Sequence, residues 1–215
     1  MSVTRRRLYI IAAIVLAACI AAGIVVRANI PHHKTTQGPP TPTHVVTHST
    51  LAPSEKAVTP ATYHSAAVGD QPSYIKLPTI QAEGYIQNVG IDQNGAVAAP
   101  SNVNLAGWYI DSLSPGQSGL SIIDGHVDGI KSPGIFYHLN KLAAGDPIEV
   151  DLANGQKKLF TVRSTQQLAA DAAATALFGR NYQLSSQLNI ITCGGTWNNS
   201  THAYSDRIVV TAAIQ

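Results

Sequence analysis

Two side chains suited to nucleophilic and acid–base chemistry follow apolar runs of the sequence. Cys193 comes directly after the run Leu188–Thr192 and is followed by two glycines, and His126 comes shortly after a pair of isoleucines and directly after a glycine. A thiol nucleophile needs a neighbouring group that moves its proton. Two strand ends could bring this pair together, although a lone cysteine or histidine is more often structural.

An arginine stands where a third catalytic contribution is needed. Acyl transfer develops negative charge on the carbonyl oxygen, which a fixed cation or backbone N–H group must stabilise. Arg207 precedes the apolar run Ile208–Ala213. It is a candidate for that role, and the alternative is a rim arginine paired with an acid such as Asp206, which would contribute only about 0–1 kcal/mol.

Short apolar runs separated by turn residues must position these side chains, and they indicate a mainly β domain over residues 73–215. The spacing predicts a closed barrel of seven or eight strands with one or two short helices. Helical propensity is concentrated in Gln166–Leu177, and a shorter turn is expected near Phe136–Leu142. The predicted strands are Tyr74–Leu77, Gly84–Val89, Leu120–Ile123, Ile148–Leu152, Leu159–Arg163, Leu188–Thr192 and Ile208–Ala213.

The N-terminal residues 1–27 have the pattern of a membrane signal anchor. Three arginines precede the uncharged run 8–26, which at helical rise is long enough for about one hydrocarbon core of roughly 30 Å. The excess of positive charge in front predicts a cytoplasmic N-terminus and an extracellular remainder, in a single-pass cell-membrane protein. Cys19 lies in a lipobox-like sequence, so a lipoprotein and a cleaved secretory signal are alternatives, and both also export the domain.

The segment between anchor and barrel, residues 28–72, is rich in Pro, Thr, Ser and His and has no apolar periodicity. It predicts an extended, disordered linker. Because Cys19 falls within the predicted membrane span, the exported part carries Cys193 as an unpaired thiol in a compartment where disulfides are common. Such a cysteine is either reactive or buried.

Charge argues against nucleic acid as a partner. The whole chain has a formal charge of +2, but residues 73–215 contain eight Lys or Arg against ten Asp or Glu. The folded part is therefore slightly acidic and lacks the basic surface of a nucleic-acid binder. No metal-ligand motif is evident, and we expect neither a metal nor another cofactor.

These motifs together resemble the sortase family. The resemblance rests on Ile190-Ile191-Thr192-Cys193, on Gly125-His126-Val127-Asp128 upstream and on Arg207 before the last strand. It extends over essentially all of residues 73–215. Gly107-Trp108-Tyr109 and the Gly-His-Val-Asp motif are most similar to the class E and F sortases of actinobacteria, class F being favoured by the short loops.

The resemblance implies an activity and a set of roles. Sortases cut an LPxTG-like sorting signal of a surface protein between Thr and Gly and pass the acyl group to an amine such as that of lipid II. Cys193 would form the thioester, His126 would move the protons and Arg207 would stabilise the oxyanion or the substrate backbone. Thr192 and Gly194 would support the site, and Asp128 could orient His126.

Three other functions fit parts of the sequence. An L,D-transpeptidase also uses Cys and His, but that family resembles a pattern with arginine two residues after the cysteine, where this chain has Gly195. A zinc hydrolase would have to use His126, Asp128 and Cys193 without any helical metal-binding motif. The non-enzymatic alternative is a tethered β-domain that binds cell-surface partners, with Cys193 inert.

Overall fold

A computed structural model describes residues 52–214 of the chain. Within this range, no helix has the length and apolar character needed to cross a membrane. The predicted membrane segment 8–26, the rest of residues 1–27, and residues 28–51 of the predicted linker lie outside the described residues.

The described chain is built from eight strands and one short α-helix. The only α-helix of these residues, α1, covers Ala173–Leu177, and 3-10 turns cover Pro78–Ile80 and Leu139–Lys141. The strands are β1 Pro72–Leu77, β2 Ala82–Val89, β3 Ala106–Tyr109, β4 Gly119–Gly125, β5 Pro147–Leu152, β6 Lys157–Ala169, β7 Ser186–Asn198 and β8 Ala203–Ile214.

The eight strands close into one barrel in the order β1-β2-β3-β4-β7-β8-β6-β5, and β5 pairs back with β1. Most neighbours are antiparallel, but β2 pairs with β3, and β4 with β7, in parallel. The predicted closed β-barrel is therefore confirmed. Closure leaves no open sheet edge, which is a stable solution for a small all-β domain.

The barrel interior is filled mainly by aliphatic side chains, together with Trp108 and the completely buried Phe136 and Phe160. Strand β7 is buried on both faces from Ser186 to Thr192. Leu188 and Ile190 belong to the barrel core, whereas Ile191 belongs to a second cluster that includes residues of α1. This double burial explains why the sequence of β7 is a nearly continuous apolar run.

A buried polar side chain holds α1 against the outer face of β7. Asn189 is completely buried, and its Nδ2 donates hydrogen bonds to the carbonyl oxygens of Leu177 (2.7 Å) and Ala176 (3.2 Å). These carbonyls belong to the last turn of α1, where helices leave acceptors unsatisfied. The bonds therefore fix the C-terminal end of a helix too short to be stable alone.

The structure corrects the prediction in two places. The segment Gln166–Ala169, predicted as helix, is the end of β6, because it pairs residue by residue with β8 from Val209 to Asp206. Only Ala173–Leu177 of the predicted helix is helical. Strand β3 was not predicted, since its four residues, Ala106–Tyr109, are all buried and give no alternating pattern.

The described part of the predicted linker, residues 52–71, lies against the barrel, which differs from the expected solvated segment. Ser54 forms a bridge with Asn102, and the carbonyl oxygen of Lys56 accepts hydrogen bonds from the side chains of Asn102 (3.0 Å) and Asn104 (3.2 Å). The Tyr63 hydroxyl donates to the carbonyl of Ile86 (3.1 Å). Barrel loops thus satisfy polar groups that the sequence pattern assigned to water.

Replacing Phe160 with alanine should destabilise the barrel by roughly 3–5 kcal/mol, because it leaves a cavity where a large side chain is completely buried. Leu159→Ala, at the adjacent position of β6 where half of the side chain is exposed, should cost less than about 1 kcal/mol. Urea unfolding followed by tryptophan fluorescence measures both. Equal losses for the two variants would contradict the assigned core.

Candidate active site

The candidate nucleophile lies near the middle of β7, where the strand leaves the buried part of the barrel. Cys193 follows the buried Thr192, is itself only partly buried, and is the one unpaired cysteine among residues 52–214. Beyond it, β7 and β8 continue as a hairpin past a bulge, where Gly195 adopts a φ of +78°. A side chain at Gly195 would collide with Ser205 and Asp206, so this turn away from the barrel requires glycine.

His126 reaches the same edge of the barrel because β4 and β7 run in parallel. Their register sets Asp124 opposite Ile191, and His126 and Cys193 each lie two residues further along their chains. The Thr192 hydroxyl donates a 2.8 Å hydrogen bond to the carbonyl of Gly125, which ties the two strand ends together. The parallel pairing therefore delivers both predicted residues to one site.

His126 is fixed by one contact at its imidazole and by another at its backbone. Its Nε2 lies 2.7 Å from the carbonyl oxygen of Pro100, a contact in which the ring nitrogen donates. The following loop returns to His126 at Gly134, where any Cβ would come within 2.3 Å of the His126 carbonyl oxygen. Glycine at this position allows the close backbone approach that fixes the histidine.

Arg207 is the direct neighbour of Cys193 across the β7–β8 ladder. Its Nη1 donates to the carbonyl oxygens of Asp206 (2.8 Å) and Tyr204 (3.1 Å). The Asp206 carboxylate accepts from the side chain of Gln167 (2.5 Å). Backbone carbonyls therefore fix the guanidinium beside Cys193. In the alternative, a simple ion pair at the barrel rim, the Asp206 carboxylate would hold it instead.

The two supporting residues also lie at this site. Thr192 is almost completely buried and uses its one hydroxyl proton for the bond to Gly125, so it positions strand ends and has no proton to offer an oxyanion. At Gly194 a Cβ would lie 3.0 Å from the side chain of Ile208. Glycine there lets β8 pack closely behind the cysteine.

Asp128 has a partner that the sequence did not predict. Its Oδ2 accepts a short hydrogen bond from the hydroxyl of Tyr204, on the β7–β8 hairpin. Burial, and then the bond to Asp128, raise the pKa of Tyr204 to about 12, so the phenol keeps its proton. Tyr204 was not identified as a site residue from the sequence. The available signal was a pair of aromatic residues, Trp197 and Tyr204, which face each other across the hairpin.

The electrostatics of the site favour the thiol. Burial raises the pKa of Cys193, and the negative charges of Asp124 and Asp128 add to this, while Arg207 opposes it. Burial also raises the pKa of Asp124 to about 7, against a 2.6 Å hydrogen bond from the Gly125 N–H and the charge of Arg207. The charge of Arg207 thus favours the thiolate.

Cys193 lies between two main cavities. One, which we call the histidine-side cavity, has about 640 Å³ and is lined by residues that include His126, Asp128, Trp197, Tyr204 and Pro53 of the N-terminal segment. A smaller one of about 300 Å³ adjoins Cys193, Asp128 and Tyr204.

The other main cavity, which we call the helix-side cavity, has about 400 Å³. Arg207 and Asp124 line it next to Cys193, and α1 supplies Ala173 and Leu177. Cys193 thus lines both cavities. The histidine-side cavity contains a carboxylate and aromatic side chains, and the helix-side cavity is walled by α1. Within residues 52–214, no group of three or more His, Cys, Asp or Glu side chains is arranged to hold a metal ion.

Comparisons with known proteins agree with this fold. The sortase domain model matches residues 75–215. The chain therefore belongs to the sortase family, the cysteine transpeptidases. A search of the curated proteins finds no match.

Solved sortase structures share the fold at low identity. A lid mutant of sortase A from Corynebacterium diphtheriae is similar with a TM-score of 0.52 and 22% identity, over 67% of this chain and 69% of that one. A lid mutant of sortase C1 from Streptococcus agalactiae gives 0.51 and 18%, over 69% and 71%. The sortase D5 transpeptidase of Clostridium perfringens gives 0.50 and 18%, over 67% and 79%.

Asp124→Asn should change how stability depends on pH. With a pKa of about 7 in the folded state and 3.8 ordinarily, wild-type Asp124 holds its proton more tightly when folded. Its contribution to folding is therefore most favourable below about pH 4 and is lost as the pH rises to about 7. The melting temperature of Asp124→Asn should therefore rise relative to that of the wild type as the pH increases over this range. If the difference between the two melting temperatures did not depend on pH, the raised pKa of Asp124 would be contradicted.

Arg207→Ala should raise the pKa of the Cys193 thiol further, because it removes a cation that lowers it. Iodoacetamide reacts with the thiolate, so the pH midpoint of alkylation reports this pKa. Mass spectrometry of the Cys193 peptide separates it from Cys19. Arg207→Lys, which keeps the charge, should lie closer to the wild type, and an unchanged midpoint in Arg207→Ala would remove the electrostatic role.

Proposed function

We propose that this sortase cleaves an LPxTG-like sorting signal through a thioester on Cys193 and transfers the surface protein to an amine of the cell wall. The supporting observation is the convergence of Cys193, His126 and Arg207 at one barrel edge, by parallel β4–β7 pairing and by direct register across β7 and β8. This is the arrangement of nucleophile, proton carrier and fixed cation that acyl transfer needs.

The first half-reaction follows from these positions. The sulfur of Cys193 attacks the Thr carbonyl of the signal, and Arg207 offers N–H groups to the oxygen as it becomes negative. Collapse of the tetrahedral intermediate breaks the Thr–Gly bond, and the leaving glycine nitrogen takes a proton from His126. The Cys193 proton has by then passed to the imidazole, so no proton is gained or lost overall.

The helix-side cavity is our candidate for the sorting signal. Its walls include the apolar side chains of Leu177, Phe178 and Ile191, and Arg207 lines it together with Cys193. Such a cavity suits the Leu-Pro part of an extended peptide, while the guanidinium can bond its backbone carbonyls. The Gly-Trp-Tyr and Gly-His-Val-Asp motifs support placement in class E or F.

The cellular setting is also part of the proposal. The uncharged run 8–26 would hold the enzyme in the cell membrane as a single-pass protein with the barrel outside. There the barrel would meet surface-protein substrates and an amine acceptor such as lipid II. Family membership weighs against the L,D-transpeptidase-like and non-catalytic alternatives, and no observation favours a second function.

Incubation of the protein with LPxTG, LAxTG and related peptides, together with hydroxylamine, should yield a Thr-hydroxamate detectable by mass spectrometry. Cys193→Ala should abolish the product, and His126→Ala should lower it by at least about 100-fold, as expected for loss of a general acid–base. Arg207→Lys should lose most activity, because an ammonium lacks the planar pair of donors. Full activity in Arg207→Ala would contradict its assigned role.

A further inference from the structure

The histidine-side cavity contains a carboxylate and aromatic rings that the first half-reaction leaves unused. Asp128 lines both this cavity and the smaller one that adjoins it, and Cys193 lines both as well. Tyr204 also contributes to both walls. A negatively charged group is therefore built into the wall directly beside the candidate nucleophile, although it raises the pKa of that thiol.

Asp128 is held in place with acceptor capacity to spare. Tyr204 donates its hydroxyl proton to Oδ2, which fixes the carboxylate in the cavity wall. A carboxylate has about four acceptor sites on its two oxygens, so this one bond leaves it able to accept others. A fixed carboxylate that lines a cavity is suited to a ligand that brings N–H donors and positive charge.

Two aromatic rings stand beside this carboxylate. Trp197 and Tyr204 are register partners on the β7–β8 hairpin, with ring centroids 5.2 Å apart and planes inclined at 62°. Trp197 is fixed by a 2.9 Å hydrogen bond from Nε1 to Asn199, yet 45% of its surface is exposed. Aromatic faces next to a carboxylate attract an ammonium group by cation–π and charge interactions.

We propose that Asp128, Tyr204 and Trp197 form the acceptor subsite, which binds the protonated primary amine of the second substrate beside the thioester. The inference rests on the transpeptidation proposed above and names the side from which the acceptor enters. The leaving amine departs from the face that the entering amine attacks, and His126, which serves both, lines this cavity. The helix-side cavity then remains for the acyl part.

The proposed subsite fits the proton balance of the second half-reaction. The bound ammonium gives one proton to His126, which releases it to solvent, and its nitrogen then attacks the thioester carbon. A C–N bond forms, the C–S bond breaks with its electron pair going to Cys193, and the proton shed by the new amide nitrogen restores the thiol. One proton is released per transfer, and no further reactant is needed.

The partition of the thioester between amine and water tests the subsite. Triglycine amide serves as a charged acceptor, and the ratio of amide product to hydrolysed product is measured at neutral pH. Because both products come from the same thioester, effects on its formation cancel. Asp128→Asn should lower this ratio about tenfold, the loss expected for one charge-assisted contact. Tyr204→Phe, which keeps the ring, should lower it less.

Two comparisons separate acceptor binding from other causes. Glu83→Gln removes one negative charge from an exposed position of β2 and should leave the ratio at the wild-type value. Hydroxylamine is uncharged at neutral pH, so its ratio to hydrolysis should change less than twofold in Asp128→Asn. If Asp128 acted only by orienting His126, transfer and hydrolysis would fall together and an unchanged ratio would overturn the proposal.

A binding measurement needs no sorting signal and therefore distinguishes failure of this proposal from failure of the proposed function. Triglycine amide should shift the indole N–H resonance of Trp197 in the wild-type protein and shift that of Trp108, which is buried in the core, much less. N-acetylation of the peptide or Asp128→Asn should remove the shift. Equal shifts with the acetylated peptide would overturn the subsite, whether or not the protein cleaves any signal.

Discussion

The parallel pairing of β4 with β7 is the constraint on which the active site depends. In an antiparallel pair, the end of one strand meets the beginning of its neighbour, so two strand-terminal residues would lie at opposite edges. Here both strands run in the same direction, and the hydrogen bond from Thr192 to Gly125 joins their C-terminal parts. The antiparallel β7–β8 ladder then adds Arg207 beside Cys193 without any long loop.

Burial sets the chemistry of this edge. Desolvation raises the pKa values of Cys193 and Asp124, so a neutral thiol and a partly protonated carboxyl are favoured near neutral pH. A neutral thiol is protected in the resting enzyme, and its proton must move before attack. Arg207 is the register partner of Cys193, so under the proposed mechanism one fixed cation would stabilise both the thiolate and the later oxyanion.

Much of the barrel and the three central residues could be predicted from the sequence. Strands with one apolar face or a continuous apolar run, such as β7, are visible locally, and Cys193, His126 and Arg207 each adjoin such a run. What was missed depends on tertiary pairing. Gln166–Ala169 has helical propensity but extends β6, and β3 is too short and too uniformly buried to show a period.

The site differs from the sequence-based expectation for a related reason. Asp128 stands two residues from His126 in the chain, which suggests that it orients the imidazole, and the hairpin also brings Tyr204 to it. Such a partner, 76 residues away, leaves no local pattern. Likewise, the polar composition of residues 52–71 does not reveal that loops such as that of Asn102 offer it hydrogen bonds.

The central claim is that Cys193 carries the acyl group between the two substrates. The most direct test is to incubate the protein with a sorting peptide that it cleaves, without any added amine. The reaction is then quenched rapidly with acid and analysed by intact-protein mass spectrometry. The account predicts an adduct with the mass of the N-terminal peptide fragment, mapped to Cys193 and discharged by an added amine. Peptide cleavage with no adduct, or with the adduct on another residue, would contradict it.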